Sequence, residues 1–223
     1  AEDQLYERYL PQLANDRAYN RNLALSGRGF DLESDVSLTW RPLSWRPLPV
    51  VLAHPADPWG CGHYRVIQPL SALKSQGLAD GTLSMGLLQV TDLERYDPDV
   101  VVLQRQIGDD RLEAMRRLKR FSRAFKVYEL DDYLPNLPLK NAHRLHMPRD
   151  ILKSLRRSLS MVDRFVVSTE PLAEAFAGLH EDIRVVENHL PVSWWTGLQA
   201  VRRVGPRPRV GWAGGAGHAG DLD

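Results

Sequence analysis

Short apolar runs alternate with amphipathic stretches along most of the chain. VVLA at 50–53 precedes a helical rhythm over 64–76, LSMGLLQV stands at 83–90, and DVVVLQ at 99–104 precedes a second helical stretch over 109–122. KVYEL at 126–130 is followed by 150–161, RFVVS at 164–168 by 171–179, and IRVVE at 183–187 closes the series. Fully apolar strands separated by helices predict a parallel sheet covered on both faces, a doubly wound, Rossmann-like α/β domain over 48–204. Upstream, Leu5, Tyr9, Leu10, Leu13, Tyr19, Leu23 and Leu25 keep a helical rhythm broken at Pro11, which predicts short helices within 3–26. TWRPLSWRPLP then excludes a regular helix and predicts an extended connector lying on a surface, so 1–47 reads as a helical extension plus connector. Past the linker VRRVGPRP, RVGWAGG at 209–215 begins another strand–loop–helix unit, so 205–223 reads as a linker and the truncated start of a second domain. The chain is expected to be a piece of a longer polypeptide.

Composition narrows the classes. With 223 residues, 43% hydrophobic and 26% charged, the chain lies in the ordinary globular range and is long enough for one well-buried domain with appendages. A net charge of +1 creates no global field that would draw it to nucleic acid. The single cysteine, Cys61, rules out a disulfide framework and a thiolate zinc cluster, and a cytoplasmic protein is the simplest expectation. No apolar run approaches the ~20 residues needed to cross a bilayer. Basic positions do cluster on two predicted helices, with Arg111, Arg116, Arg117, Lys119, Arg120, Arg123 and Lys126 on one and Arg149, Lys153, Arg156 and Arg157 on the other. Such faces can contact anionic lipid at the inner side of a membrane or a polyanionic acceptor. A solvated face balanced by acids elsewhere explains them equally well.

In open α/β sheets, ligands collect at the carboxyl ends of the strands. After the first strand, HPADPWGCGHYR places Gly60 and Gly62 ahead of a helix start, where glycines let backbone approach a phosphate or carboxylate, or simply make a tight turn. His54 and His63 read as structural or solvated, and Cys61 as an unreactive small residue. After the fourth strand comes Glu129-Leu130-Asp131-Asp132-Tyr133. Adjacent carboxylates there can act as a general base, accept sugar hydroxyls, hold a divalent metal or cap a turn. The proline-rich stretch 133–148 reads as a lid or acceptor loop, and His143 and His146 lack the further ligands a zinc site needs.

GCGHYRVIQPLSAL (60–73), DPDVVVLQRQ (97–106), VYELDDYL (127–134), MVDRFVVSTEPLAEAF (161–176), IRVVENHLP (183–191) and RVGWAGGAGHAGDL (209–222) follow one another in an order that resembles bacterial GT-B glycosyltransferases of the glycogen synthase and mannosyltransferase-like group. The resemblance implies the N-terminal, acceptor-side half of an enzyme whose second Rossmann-like domain binds a nucleotide-sugar donor, with a glycan or lipid-linked acceptor and no metal or other cofactor. It implies that Gly60, Gly62 and Arg65 line a loop facing the donor phosphates, and that Asp131 and Asp132 lie near the reacting sugar. It puts Thr169 and Glu170 at the cleft, Asn188 near the hinge, and Gly214, Gly215 and His218 in the first loop of the donor domain. The family's paired donor glutamates would fall past Asp223. A non-catalytic Rossmann-like binding module of a polysaccharide-assembly protein is the second reading. An oxidoreductase or methyltransferase is disfavoured, because the first strand–helix turn lacks the glycine fingerprint and the second strand ends without the matching acid.

Overall fold

The structure, a computed structural model, describes residues 2–39, 45–137, 144, 147–199 and 211. Six strands, β1 (Val50–His54), β2 (Asp80–Leu83), β3 (Val100–Gln104), β4 (Phe125–Leu130), β5 (Arg164–Val167) and β6 (Ile183–Val185), form one all-parallel sheet in the order β2-β1-β3-β4-β5-β6. The arrangement is Rossmann-like, with flanking helices. Strand order reverses between β1 and β3, so the crevice of this sheet opens above the ends of those two strands.

Alternation along each strand sorts side chains between the two faces. Leu52, Val101, Leu103, Tyr128, Leu130, Phe165 and Val167 share one buried cluster. It is closed by Leu93 and Tyr96 of α5 (Val90–Tyr96), Met115 and Leu118 of α6 (Asp109–Phe121), Leu155 and Leu159 of α7 (Ile151–Leu159), and Phe176 just past α8 (Glu170–Ala175). On the opposite face Ala53, Val51, Val102 and Leu83 pack under Val66 and Leu70. Those two belong to a continuous helical run made of α3 (Gly60–Gly62), a π turn (His63–Ile67) and α4 (Gln68–Ser75). That face is less evenly covered, and past β3 Phe125 is exposed under the Arg164 guanidinium.

The chain departs from its apolar pattern at one place in the sheet. LSMGLLQV is not a strand: β2 is the preceding DGTL, and Val90 already begins α5. Gly81 is what permits this edge strand, since its φ is 145° and a Cβ would stand 1.9 Å from the Val51 carbonyl oxygen. Leu87 and Leu88 reach the core from the loop that follows.

Upstream, α1 (Glu2–Ala14) contains Pro11 rather than breaking at it. Residues 15–26 are turns instead of a second helix, because Asp16 and Asn20 accept from the backbone N–H groups of Ala18 and Asn22 and so replace helical bonding. α1 lies on α6. Asp3 meets Arg116 at 2.9 Å, Glu2 meets Arg117 at 2.9 Å, Glu7 meets Arg120, and the Tyr6 and Phe121 rings stack edge to face at 5.6 Å. Three arginines of the basic α6 face are thus occupied by acids of the same chain. A short helix, α2 (Val36–Thr39), adds Leu38 to the core, and α9 (Val192–Trp195) follows β6. No helix among the described residues is long and apolar enough to cross a membrane.

Candidate functional site

Strand ends bring together side chains from four separate parts of the sequence. Across the β1/β3 crevice, Arg105 donates from Nη2 to Asp57 Oδ2 at 3.0 Å and lies 3.0 Å from Cys61 Sγ. Its Nη1 stands 3.8 Å from Asp132 Oδ2. Arg105 is the first residue past β3 and holds φ at 48°, a left-handed conformation that non-glycine residues rarely adopt. That turn directs the chain out of the sheet over the crevice. Below it, Gln104 accepts from the Ala56 N–H at 2.9 Å and joins the two strand ends.

The second knot is buried. Arg65, within the π turn, donates from Nε to Glu129 Oε1 at 2.6 Å and from Nη1 to the Val186 carbonyl at 2.6 Å and Asn188 Oδ1 at 2.9 Å. Side chains of the ion pair are 4% and 5% exposed. Burial pushes the Glu129 carboxyl up to about 7 despite the pull of Arg65 and of the Gln104 carboxamide beside it. Arg65 therefore ties β4 and the exit of β6 to the helix after β1. Contact with a donor phosphate would require it to surrender these bonds.

Asp131 and Asp132 lie at the end of β4, at the rim of the same crevice. Asp131 is half-buried, its Oδ1 has no hydrogen-bond partner among the described residues, and burial followed by the Asp132 charge raises its pKa. Asp132 is exposed. The Tyr64 hydroxyl is also raised, first by burial and then by Asp131. Among the described residues no group of three His, Cys, Asp or Glu side chains is placed to hold a metal ion.

The remaining sequence-selected residues have definite local surroundings. Gly62 packs against the Asp57 backbone so closely that a Cβ would stand 1.8 Å from its carbonyl oxygen, and Gly60 has φ at 37°. The turn geometry by itself calls for both glycines. Thr169 is the N-cap of α8, its Oγ1 accepting from Leu172 N–H, with Glu170 in the first turn where a negative charge favours the helix dipole. Asn188 is exposed beside Arg65. Gly214, Gly215 and His218 lie outside the described residues, as do His143, His146 and the strand expected at 209–215.

Two histidines and the thiol have settled surroundings. Burial drives the His54 pKa down to about 4, and its Nδ1 donates to the Ser84 carbonyl at 2.9 Å, so the ring is neutral. His63 pairs with Gln68 at 2.9 Å. Burial, with Asp131 next, pushes the Cys61 thiol up to about 12, which leaves it a poor nucleophile.

Strand-end reasoning did not single out Asp57 and Arg105, whose pairing spans 48 residues of sequence. The run QRQ at 104–106, polar residues at the end of an apolar strand, is the signal that points to Arg105. Nor did it single out an open cleft of about 490 Å³ beside the acidic rim, lined by Trp59, His63, Tyr64, Leu190, Trp194 and Trp195 among others. No protein-family model, curated protein or solved structure matches the chain.

Proposed function

We propose that the chain is the acceptor-side, Rossmann-like part of a glycosyltransferase that moves a sugar from a nucleotide-sugar to an acceptor hydroxyl. The observation that carries this reading is the balance of charge at the strand ends. Four carboxylates, Asp57, Glu129, Asp131 and Asp132, face two guanidiniums, those of Arg65 and Arg105, and both guanidiniums are engaged with carboxylates of the chain. An edge of that composition repels a diphosphate and suits a neutral, hydroxyl-rich acceptor. Together with the ordered resemblance of the segments from 60 to 222, it favours the acceptor half over a nucleotide-binding one.

In this reading Asp131 is the general base. Its raised pKa brings it closer to the range in which a carboxylate can accept a proton near neutrality. As the acceptor oxygen bonds to the anomeric carbon and the bond to the nucleoside diphosphate breaks, the hydroxyl proton passes to the Asp131 carboxylate. Asp132 and Arg105 orient that group, and the leaving diphosphate is stabilised by groups that the donor-binding half supplies.

Calorimetry with uridine, guanosine and thymidine diphosphate sugars tests the assignment. The chain by itself is expected to bind none of them tightly, because the residues gripping the nucleotide belong to the other half. Low-micromolar binding to this chain would overturn the acceptor-side reading.

A further inference from the structure

Arg65 does more than neutralise Glu129. By accepting bonds from its guanidinium, the Val186 carbonyl and Asn188 anchor the segment that leaves β6 next to the start of the helical run after β1. Two stretches far apart in sequence, 58–68 and 190–195, thereby face each other across the 490 Å³ cleft. Trp59, Trp194 and Trp195 present 76%, 59% and 52% of their surface to solvent, and the His63 and Trp194 rings lie 5.9 Å apart at 32°. Exposed aromatic surface at this density marks a binding site rather than a folding core.

We infer that this cleft is a sugar-ring subsite, in which a neutral pyranose of the acceptor stacks on Trp59 and Trp194 with its reacting end toward Asp131 and Asp132. Three observations select that occupant. First, the described residues that line the cleft include no Lys, Arg, Asp or Glu. Phosphate groups and anionic lipid headgroups are held by basic side chains, and the described lining offers none. Second, Trp59, Trp194 and Trp195 line one open cleft of about 490 Å³ rather than standing apart on the surface, so a single ring can reach more than one indole. Third, the walls combine flat apolar faces with polar edges: indole N–H groups, the Tyr64 hydroxyl and the His63–Gln68 pair. A pyranose has the matching chemistry, with C–H groups on its faces and hydroxyls around its rim. Tyr64 also lies between the cleft and the acidic rim, since it lines the wall and its hydroxyl pKa is raised first by burial and then by Asp131.

The inference deepens the transferase reading and depends on it only for the fate of the bound ring, so binding and transfer are measured separately. The chain is titrated with neutral gluco-, manno- and galacto-oligosaccharides while indole N–H resonances and tryptophan emission are followed. Signals of Trp59, Trp194 and Trp195 are expected to move with at least one series. Trp59→Ala and Trp194→Ala should each weaken that binding roughly 3- to 10-fold, whereas Trp45→Ala, at an exposed tryptophan outside the cleft, should leave it unchanged. Failure of every series to move the three indoles overturns the inference. So does binding that both cleft variants leave intact, or capture of the cleft tryptophans by phosphatidylglycerol vesicles in place of saccharide. In the full-length protein, Trp194→Ala should raise the acceptor KM with little change in kcat. Transfer with an unaltered acceptor KM would remove the subsite and leave the transferase reading standing. Saccharide binding at the indoles without any effect of the Asp131 and Asp132 substitutions on transfer would do the reverse.

Discussion

Single residues at the strand ends carry costs that can be measured apart from function. Glu129 has its carboxyl raised from 4.5 to about 7 by burial, so the folded state binds its proton more tightly than the unfolded state does. Between these two values folding takes up a proton, and stability contributed by this site is therefore present at low pH and lost as pH rises through about 7. Urea unfolding of the wild type and Glu129→Gln at about pH 5 and about pH 8 isolates the site from the other carboxylates. The wild type is expected to lose up to about 3 kcal/mol relative to the variant over that interval. A gap that is constant with pH, or that moves the other way, would show that Arg65 holds the carboxylate ionised throughout. Gly62 makes a second, steric prediction. A Cβ there meets the Asp57 carbonyl oxygen at 1.8 Å, and Gly86 has open space. Gly62→Ala should therefore cost about 3 kcal/mol, the upper end of overpacking penalties, while Gly86→Ala should change stability by less than about 0.5 kcal/mol.

At the scale of elements, the contact between α1 and α6 rests largely on charge. Asp3 alone is shared by Arg116, Arg117 and Arg120, and Arg116 followed by Arg117 holds the Glu113 carboxyl down to about 2. Glu2, Glu7, Glu113 and Arg120 are exposed and Asp3, Arg116 and Arg117 half-buried, so salt screens the network in part. Hydrogen exchange of residues 2–14 is expected to quicken between low salt and about 0.5 M salt, with the amides of β3 and β4 unaffected. Unchanged exchange in α1 would instead show that its packing on α5 and the Tyr6–Phe121 pair hold it in place. The same elements show where apolar patterning reads well. β1 and β3 to β6 are visible as runs because strands in a parallel sheet are covered on both sides. β2 is not, because an edge strand of Asp, Gly, Thr and Leu carries little apolar signal, and the stronger run beside it packs as a loop. α1 was visible but its length was not, since a proline in its last turns forfeits only one hydrogen bond there.

At the scale of the molecule, the strand-end rule leads to the carboxyl edge of the sheet and names only some of the side chains that meet there. Asp131 and Asp132 could be found because they directly follow the apolar run VYEL, and the structure sets both at the rim of the β1/β3 crevice. Asp57 and Arg105, or Trp59 and Trp194, could not be paired from sequence, because each pair is joined only when the strands are laid side by side and Arg65 draws the β6 exit across them. The central proposal is that the acidic rim deprotonates an acceptor hydroxyl. Its most direct test is sugar transfer by the full-length protein carrying Asp131→Asn or Asp132→Asn, with Tm measured on the same preparations. The expected result is a ~10²–10⁴-fold loss of transfer for Asp131→Asn, the usual range for a general base, at a nearly unchanged Tm. Variants that both melt at lower temperature yet transfer sugar at close to the normal rate would contradict it.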